Sequence, residues 1–126
     1  MNIIIRLENQ NDYEEVEDLT REAFWDIYHP GCEEHLVVHK LRKVSAFIPE
    51  LDFVAVQDDQ IVGNIIYSKS KVVDRNNNEH EVLTFGPISV LPSLQKQGIG
   101  SALIEHTKKL AETMGYKAIV IFGNPA

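Results

Sequence analysis

Val90-Leu91-Pro92-Ser93-Leu94-Gln95-Lys96-Gln97-Gly98-Ile99-Gly100-Ser101 joins a strand-like run to a helix-like one, and its two glycines decide how the rest is read. Downstream, Ile99, Leu103, His106, Leu110 and Met114 recur at helical spacing from about Gly98 to Met114, with Glu105 four residues before Lys109 on the outer side. Gly115 follows as a left-handed cap. Lys117-Ala118-Ile119-Val120-Ile121-Phe122 then predicts a short buried strand, parallel to its predecessor because a helix crosses between them. Upstream, Glu81 to Val90 reads as the longest strand. Pro87 cannot donate to a ladder there, and with Gly86 it predicts a bulge or a divergence from one neighbour. A helix amino terminus presents unpaired N–H groups and a positive dipole end, and glycines let an anion approach the backbone. The junction is therefore a candidate phosphate site, to which Lys96 adds charge. An ordinary glycine-bearing helix start is the other reading, and it stands beside the first. Neither the Walker pattern nor the dinucleotide pattern of three glycines after a first strand is met.

Working back to the amino terminus, Ile3-Ile4-Ile5-Arg6-Leu7 predicts a first strand. Asn11 with Glu14 has the form of a capping box, ahead of a helical stripe of Tyr13, Val16, Leu19, Ala23 and Ile27 that ends before His29-Pro30-Gly31. A second helix is expected from about Glu33 to Val44, with Leu36, Val37, His39, Leu41 and Val44 among charges. Leu51 to Val56 and Ile61 to Tyr67 form a hairpin over the polar turn Gln57 to Gln60. Gly63 marks a bulge or a close backbone approach. Lys69 to Val73 then leads through a second turn, Asp74 to Asn78, into the long strand. The order is β-α-α-β-β-β-α-β, without repeats, low-complexity segments or linkers.

The 126 residues carry 12 Lys+Arg against 19 Asp+Glu, a net charge of −7, with 44% hydrophobic and 25% charged residues. That describes one ordinary domain able to build a core without metal or disulfide staples. The acidic balance and scattered lysines argue against a nucleic-acid or anionic-membrane partner. Cys32 stands alone, which excludes an internal disulfide or a cysteine-based zinc site and suits an inert loop thiol. No signal peptide or membrane-length apolar run is seen, so the sequence predicts a cytoplasmic protein.

Gln95-Lys96-Gln97-Gly98-Ile99-Gly100 fits Gln/Arg-x-x-Gly-x-Gly/Ala, and in this it resembles the signature of the GNAT superfamily of acetyl-CoA-dependent N-acetyltransferases. Leu83 to Asn124 looks like that family's diverging strand, pyrophosphate loop, helix and next strand, and the upstream elements match in order. The Gly86-Pro87-Ile88-Ser89-Val90 wording and the ending Phe122-Gly123-Asn124-Pro125-Ala126 look most like the bacterial YhbS-like subgroup. The fold the resemblance implies is α/β, with α and β mixed: a GNAT-like, mostly antiparallel sheet flanked by helices. It further implies that Gln97, Gly98, Ile99, Gly100 and Ser101 cradle the CoA pyrophosphate through backbone N–H groups, with Gln95 and Lys96 shaping the loop. The backbone of Ile88, Ser89 and Val90 is then the platform for the pantetheine arm, with Ile88 and Val90 bonding it as an extra strand would. Asn124 is either an asparagine near the pantetheine or a turn residue.

The implied reaction is direct attack of an amine, on a small molecule or a peptide, upon the thioester carbonyl, with backbone N–H groups near Val90 polarising it. The resemblance assigns no metal. Some members place a glutamate base on the diverging strand, but Val82 to Val90 holds no carboxylate, which leaves Glu81 just outside it as the candidate and Thr84 inside. Glu33, Glu34, His35 and His39 form a second cluster, more simply a charged helix start, whose His-x-x-x-His spacing lacks a third metal ligand. His106 reads as a core histidine and Trp25 as core, with Tyr28 and His29 near the same helix end. Residues 1–126 read as a single acetyltransferase domain lacking the family's last helix and strand pair, where many members carry a tyrosine acid. The last strand would lack an outer partner. Two consequences are open: a shortened, non-catalytic acyl-CoA-binding remnant, or a homodimer in which a second copy completes the sheet.

Overall fold

The computed structural model describes residues 3–27, 30–116 and 119–120. The expectations resting on Tyr28, His29, Asn124 and the ends of the last strand lie outside the described residues. Among the described residues a five-stranded sheet runs in chain order: β1 (Ile4–Leu7), β2 (Phe53–Gln57), β3 (Gln60–Val73), β4 (Glu79–Val90) and β5 (Ile119–Val120). All pairs are antiparallel except β4 with β5. Helices α1 (Tyr13–Phe24) and α2 (Glu34–Leu41) cover one face through Val16, Leu19 and Val38 on Val54, Ile61 and Ile66. Helix α3 (Ile99–Thr113) covers the other, with Ile99, Leu103 and Ala111 over Phe53, Ala55, Ile65 and Leu83. This is the expected mixed, mostly antiparallel architecture. Among the described residues no helix is long and apolar enough to cross a membrane.

The β2–β3 turn is tight because Asp58 and Asp59 both adopt left-handed φ, 51° and 64°, the combination that matches strand twist in a two-residue hairpin. Gly63 is a close approach: a Cβ there would stand 3.0 Å from Ile99 Cγ2 and 3.2 Å from Leu103 Cδ1, so α3 sits nearly on the strand backbone. The bulge expected at Gly86-Pro87 is present. Ile65 pairs with Ile88 and Tyr67 with Phe85, so one residue of β3 spans two of β4.

Several local readings need correction. The capping box is Asn9 with Asp12, not Asn11 with Glu14: Asn9 Oδ1 accepts from the Asn11 N–H at 2.9 Å and Asp12 Oδ2 from the Asn9 N–H at 2.9 Å, two residues earlier. Thr20 replaces Ile27 on the buried stripe of α1, because its hydroxyl donates to the Val16 carbonyl and needs no water. Trp25, expected in the core, is 52% exposed beyond the helix end, with the Arg21 guanidinium 5.6 Å from its ring. Helix α2 is shorter than expected and buries Val38, leaving Leu36, Val37 and Val44 exposed. The longest strand is β3, not β4. On α3, Thr107 and Ala111 take the buried positions, His106 is half-buried with its ring edge-on to Phe53 at 4.6 Å, and Met114 is exposed. Thr107 is tolerated because it bonds the Leu103 carbonyl at 2.8 Å and the Tyr67 hydroxyl at 2.7 Å.

Candidate functional site

Pro92–Leu94 forms a single tight turn after β4, and Lys96 and Gly98 then take left-handed φ of 64° and 91°, which reverses the chain and aims it into α3. Gly98 is the N-cap and supplies no side-chain cap. By helix geometry the N–H groups of Ile99, Gly100 and Ser101 have no intrahelical acceptor, and they share the positive end of a fifteen-residue helix. A Cβ on Gly98 would meet no protein atom within 4 Å, and one on Gly100 would meet only Val90 Cγ2 at 3.8 Å and Ile88 Cδ1 at 4.0 Å. The first turn is thus bare on its outer side and seated over the end of β4. Gln97, Ser101 and Lys96 are exposed around it, while Ile99 turns its side chain into the core. A bare, N–H-lined helix end of this kind fits a pyrophosphate.

Beside it lies the outer edge of β4. The Leu91 N–H donates to the Val62 carbonyl at 2.9 Å, so by strand alternation Leu91 and Ser89 turn their backbone groups toward β3, while Ile88 and Val90 turn theirs away. On that outer side the described pairing to β5 covers only Leu83 with Ile119 and Thr84 with Val120. Gln95 Nε2 donates to the Val90 carbonyl at 3.1 Å, which ties the loop to this edge. Ser89 is a different case. It is fully buried and its hydroxyl donates to Thr20 Oγ1 at 3.2 Å on the α1 face, so neither its backbone nor its side chain looks toward the α3 end.

The candidate base is not brought to this place. Glu81 is exposed and paired in register with Lys71, nine positions from Val90, about 30 Å at the usual rise per residue. It lines a cavity of about 580 Å³ between the start of β4 and the end of α3. The Thr84 hydroxyl is spent on Ser70 Oγ at 2.9 Å. His35 and His39 have separate partners: His35 Nδ1 stands 3.5 Å from Cys32 Sγ, and His39 lies between Glu17 Oε1 at 3.1 Å and Lys43 Nζ at 3.2 Å. Glu33 and Glu34 stand at the start of α2, the Glu33 N–H donating to the Glu34 carboxylate, without a side-chain cap on the helix. Burial and then the Glu34 charge raise the Cys32 thiol above its ordinary value, away from the reactive thiolate. Among the described residues no group of three or more His, Cys, Asp or Glu could hold a metal ion.

Sequence reasoning missed a buried polar cluster under α1 and α2. Arg42 donates to Glu8 at 2.7 and 3.0 Å and to Glu17 at 2.8 Å, with its guanidinium 4.1 Å from the centre of the Tyr13 ring. Asp52 and Asn64 complete it, Asn64 Nδ2 donating to Asp52 Oδ1 at 3.1 Å. No spacing could have signalled this, since its members come from five separate segments.

A model of the acetyltransferase (GNAT) family matches residues 9–126. The chain belongs to the GNAT acetyltransferase family. Among solved GNAT structures, an acetyltransferase from Brucella melitensis in complex with acetyl-CoA is 30% identical, with a TM-score of 0.83 over 98% of this chain and 77% of its own. The N-acetyltransferase YhbS from Escherichia coli, in complex with CoA, is 25% identical, with a TM-score of 0.82 over 99% of this chain and 64% of its own. The aminoglycoside acetyltransferase AAC(6′)-Iy with a bisubstrate analogue shares the fold at 19% identity and a TM-score of 0.71, over 99% of this chain and 82% of its own. No curated protein sequence matches.

Proposed function

We propose that the chain binds acetyl-CoA with its pyrophosphate on the N–H groups of Ile99, Gly100 and Ser101 and its pantetheine along the outward backbone of Ile88 and Val90, and passes the acetyl group to an amine of a small molecule or peptide. The observation that carries this is the adjacency of the two donor sets: the bare first turn of α3 rests on the part of β4 whose edge groups face away from β3. Acetyl-CoA supplies the activated acetyl thioester. The chain's own part is to fix it: Gly98 leaves room for the phosphates, Gln95 braces the loop on Val90, and the β4 edge offers N–H groups to the thioester carbonyl as the amine attacks. The acetyl-CoA complex of one GNAT relative and the CoA complex of another support the reading. The test is acetyl-CoA-dependent release of free CoA thiol in the presence of a panel of primary amines, with turnover expected for at least one.

A second reading, acyl-CoA binding without turnover, is favoured by one observation. From Val82 to Val90 the strand offers no carboxylate, and Glu81 stands about 30 Å from Val90 against Lys71. Binding of acetyl-CoA with no turnover across the amine panel would select it.

A further inference from the structure

The cluster under α1 and α2 has more acceptors than protons. Glu8 follows β1, and its carboxylate, with 0% side-chain exposure, takes a two-pronged bond from Arg42, itself 5% exposed at the end of α2. The same guanidinium serves Glu17 from α1, a carboxylate shared with His39, and it is faced by the Tyr13 ring. Asp52, just before β2 and 2% exposed, has the Glu8 carboxylate as its neighbour, accepts the Glu8 backbone N–H on its own backbone carbonyl at 2.9 Å, and accepts from Asn64 on β3 through its carboxyl. Asn64 Oδ1 has no donor among the described residues. Three ionised carboxylates around one guanidinium, two of them fully desolvated, is an arrangement that keeping one proton relieves.

We infer that Asp52 is kept as a neutral carboxylic acid that donates to Glu8, forming a proton-dependent clasp that ties the end of α2 to β1 and β2. Asp52 carries the proton because Glu8 already holds Arg42 with both oxygens. Burial, and then the hydrogen bond and charge of Glu8, push the Asp52 carboxyl up to about 9, against the opposing pull of Asn64 and Arg42. The unfolded chain releases this proton near pH 4 while the native chain retains it. Stability from the clasp is therefore complete below the unfolded value, declines as pH rises through neutrality, and levels off above the native value. Losing the proton puts a third charge on the shared guanidinium, and the contact placed to yield is Arg42 with Glu17, the more exposed arm, which joins α2 to α1. Asp12 and Asp74, whose carboxyls are held low by hydrogen bonds from Arg6 and His80, act on the acid side.

The experiment is denaturant unfolding of the full chain and of Asp52→Asn between about pH 5.5 and 8.5, with carboxyl-carbon NMR of the unaltered protein. The folding constant of the parent should fall relative to the variant, approaching tenfold per pH unit, while Asp52→Asn, which keeps a donor toward Glu8, folds and loses that slope. The NMR readout should show one aspartate carboxyl still protonated at pH 7, and it does not depend on the variant folding. Parallel pH profiles, an Asp52→Asn chain that no longer folds at pH 7, or a full set of ionised carboxyl signals at pH 7 would each overturn the inference.

Discussion

The two polar regions of this molecule are built in opposite ways. At the start of α3 the polar groups are backbone N–H and C=O groups at the end of a helix and the outer edge of a strand, where among the described residues Gln95 on the Val90 carbonyl is the side-chain partner found, and side chains are cleared away by glycine. Under α1 and α2 the polar groups are charged side chains from distant segments, buried and partnered with one another. The first arrangement leaves hydrogen-bonding capacity for something outside the protein. The second spends it on holding helices to the sheet. A binding region and a structural one are thus told apart by where the unspent donors are, rather than by how many charges are present.

Four substitutions sharpen or break that contrast. Gly98→Glu should have the largest effect on binding, lowering acetyl-CoA affinity by about 100-fold, roughly 2.7 kcal/mol, because it sets bulk and negative charge among the free N–H groups. Calorimetric titration checks this, and the fold should lose only about 1–2 kcal/mol from a non-glycine residue at φ 91°. Arg42→Met should reverse the pattern, costing about 3–5 kcal/mol of stability by stranding the Glu8 carboxylate, with ligand affinity per folded molecule unchanged. Denaturation with and without a companion Glu8→Gln change measures it, the pair being expected to recover much of the loss. Gly86→Ala should cost about 1–3 kcal/mol, since its Cβ would stand 2.7 Å from Ile66 Cγ2 and 3.1 Å from Leu41 Cδ2, forcing the β4 bulge against α2. A lowered denaturant midpoint is the readout. Glu81→Gln should do least: kcat/KM for any accepted amine stays within about twofold, and a tenfold loss, about 1.4 kcal/mol, would place Glu81 at the reacting centre after all.

The contrast also explains what could be read from the sequence. The α3 end was legible because glycine, proline and helical periodicity act within a few residues: Gly98, Gly86-Pro87 and Gly115 each took the backbone role their local chemistry predicted. Helix faces were legible only to within a residue or two, because Thr20 and Thr107 counted as polar yet bury by bonding a carbonyl one turn back. Trp25 was misjudged because hydrophobicity carries no information on where a helix stops. The Glu8, Arg42 and Asp52 cluster was invisible, since each residue alone looks like a solvated charge and only the three-dimensional pairing buries them. Glu81 was singled out as the nearest carboxylate in sequence, and strand geometry then carried it to the far end of β4.

The most direct test of the central claim is the melting temperature of the chain with and without millimolar acetyl-CoA, repeated with Gly98→Glu. A ligand that binds only the folded state at a hundredfold excess over its dissociation constant adds about 2.7 kcal/mol, so the parent should melt several degrees higher, while the variant, its affinity lowered about 100-fold, should keep only about 0.4 kcal/mol of that stabilisation. A folded parent chain whose melting temperature ignores acetyl-CoA, or a Gly98→Glu variant that shifts as the parent does, would contradict the account.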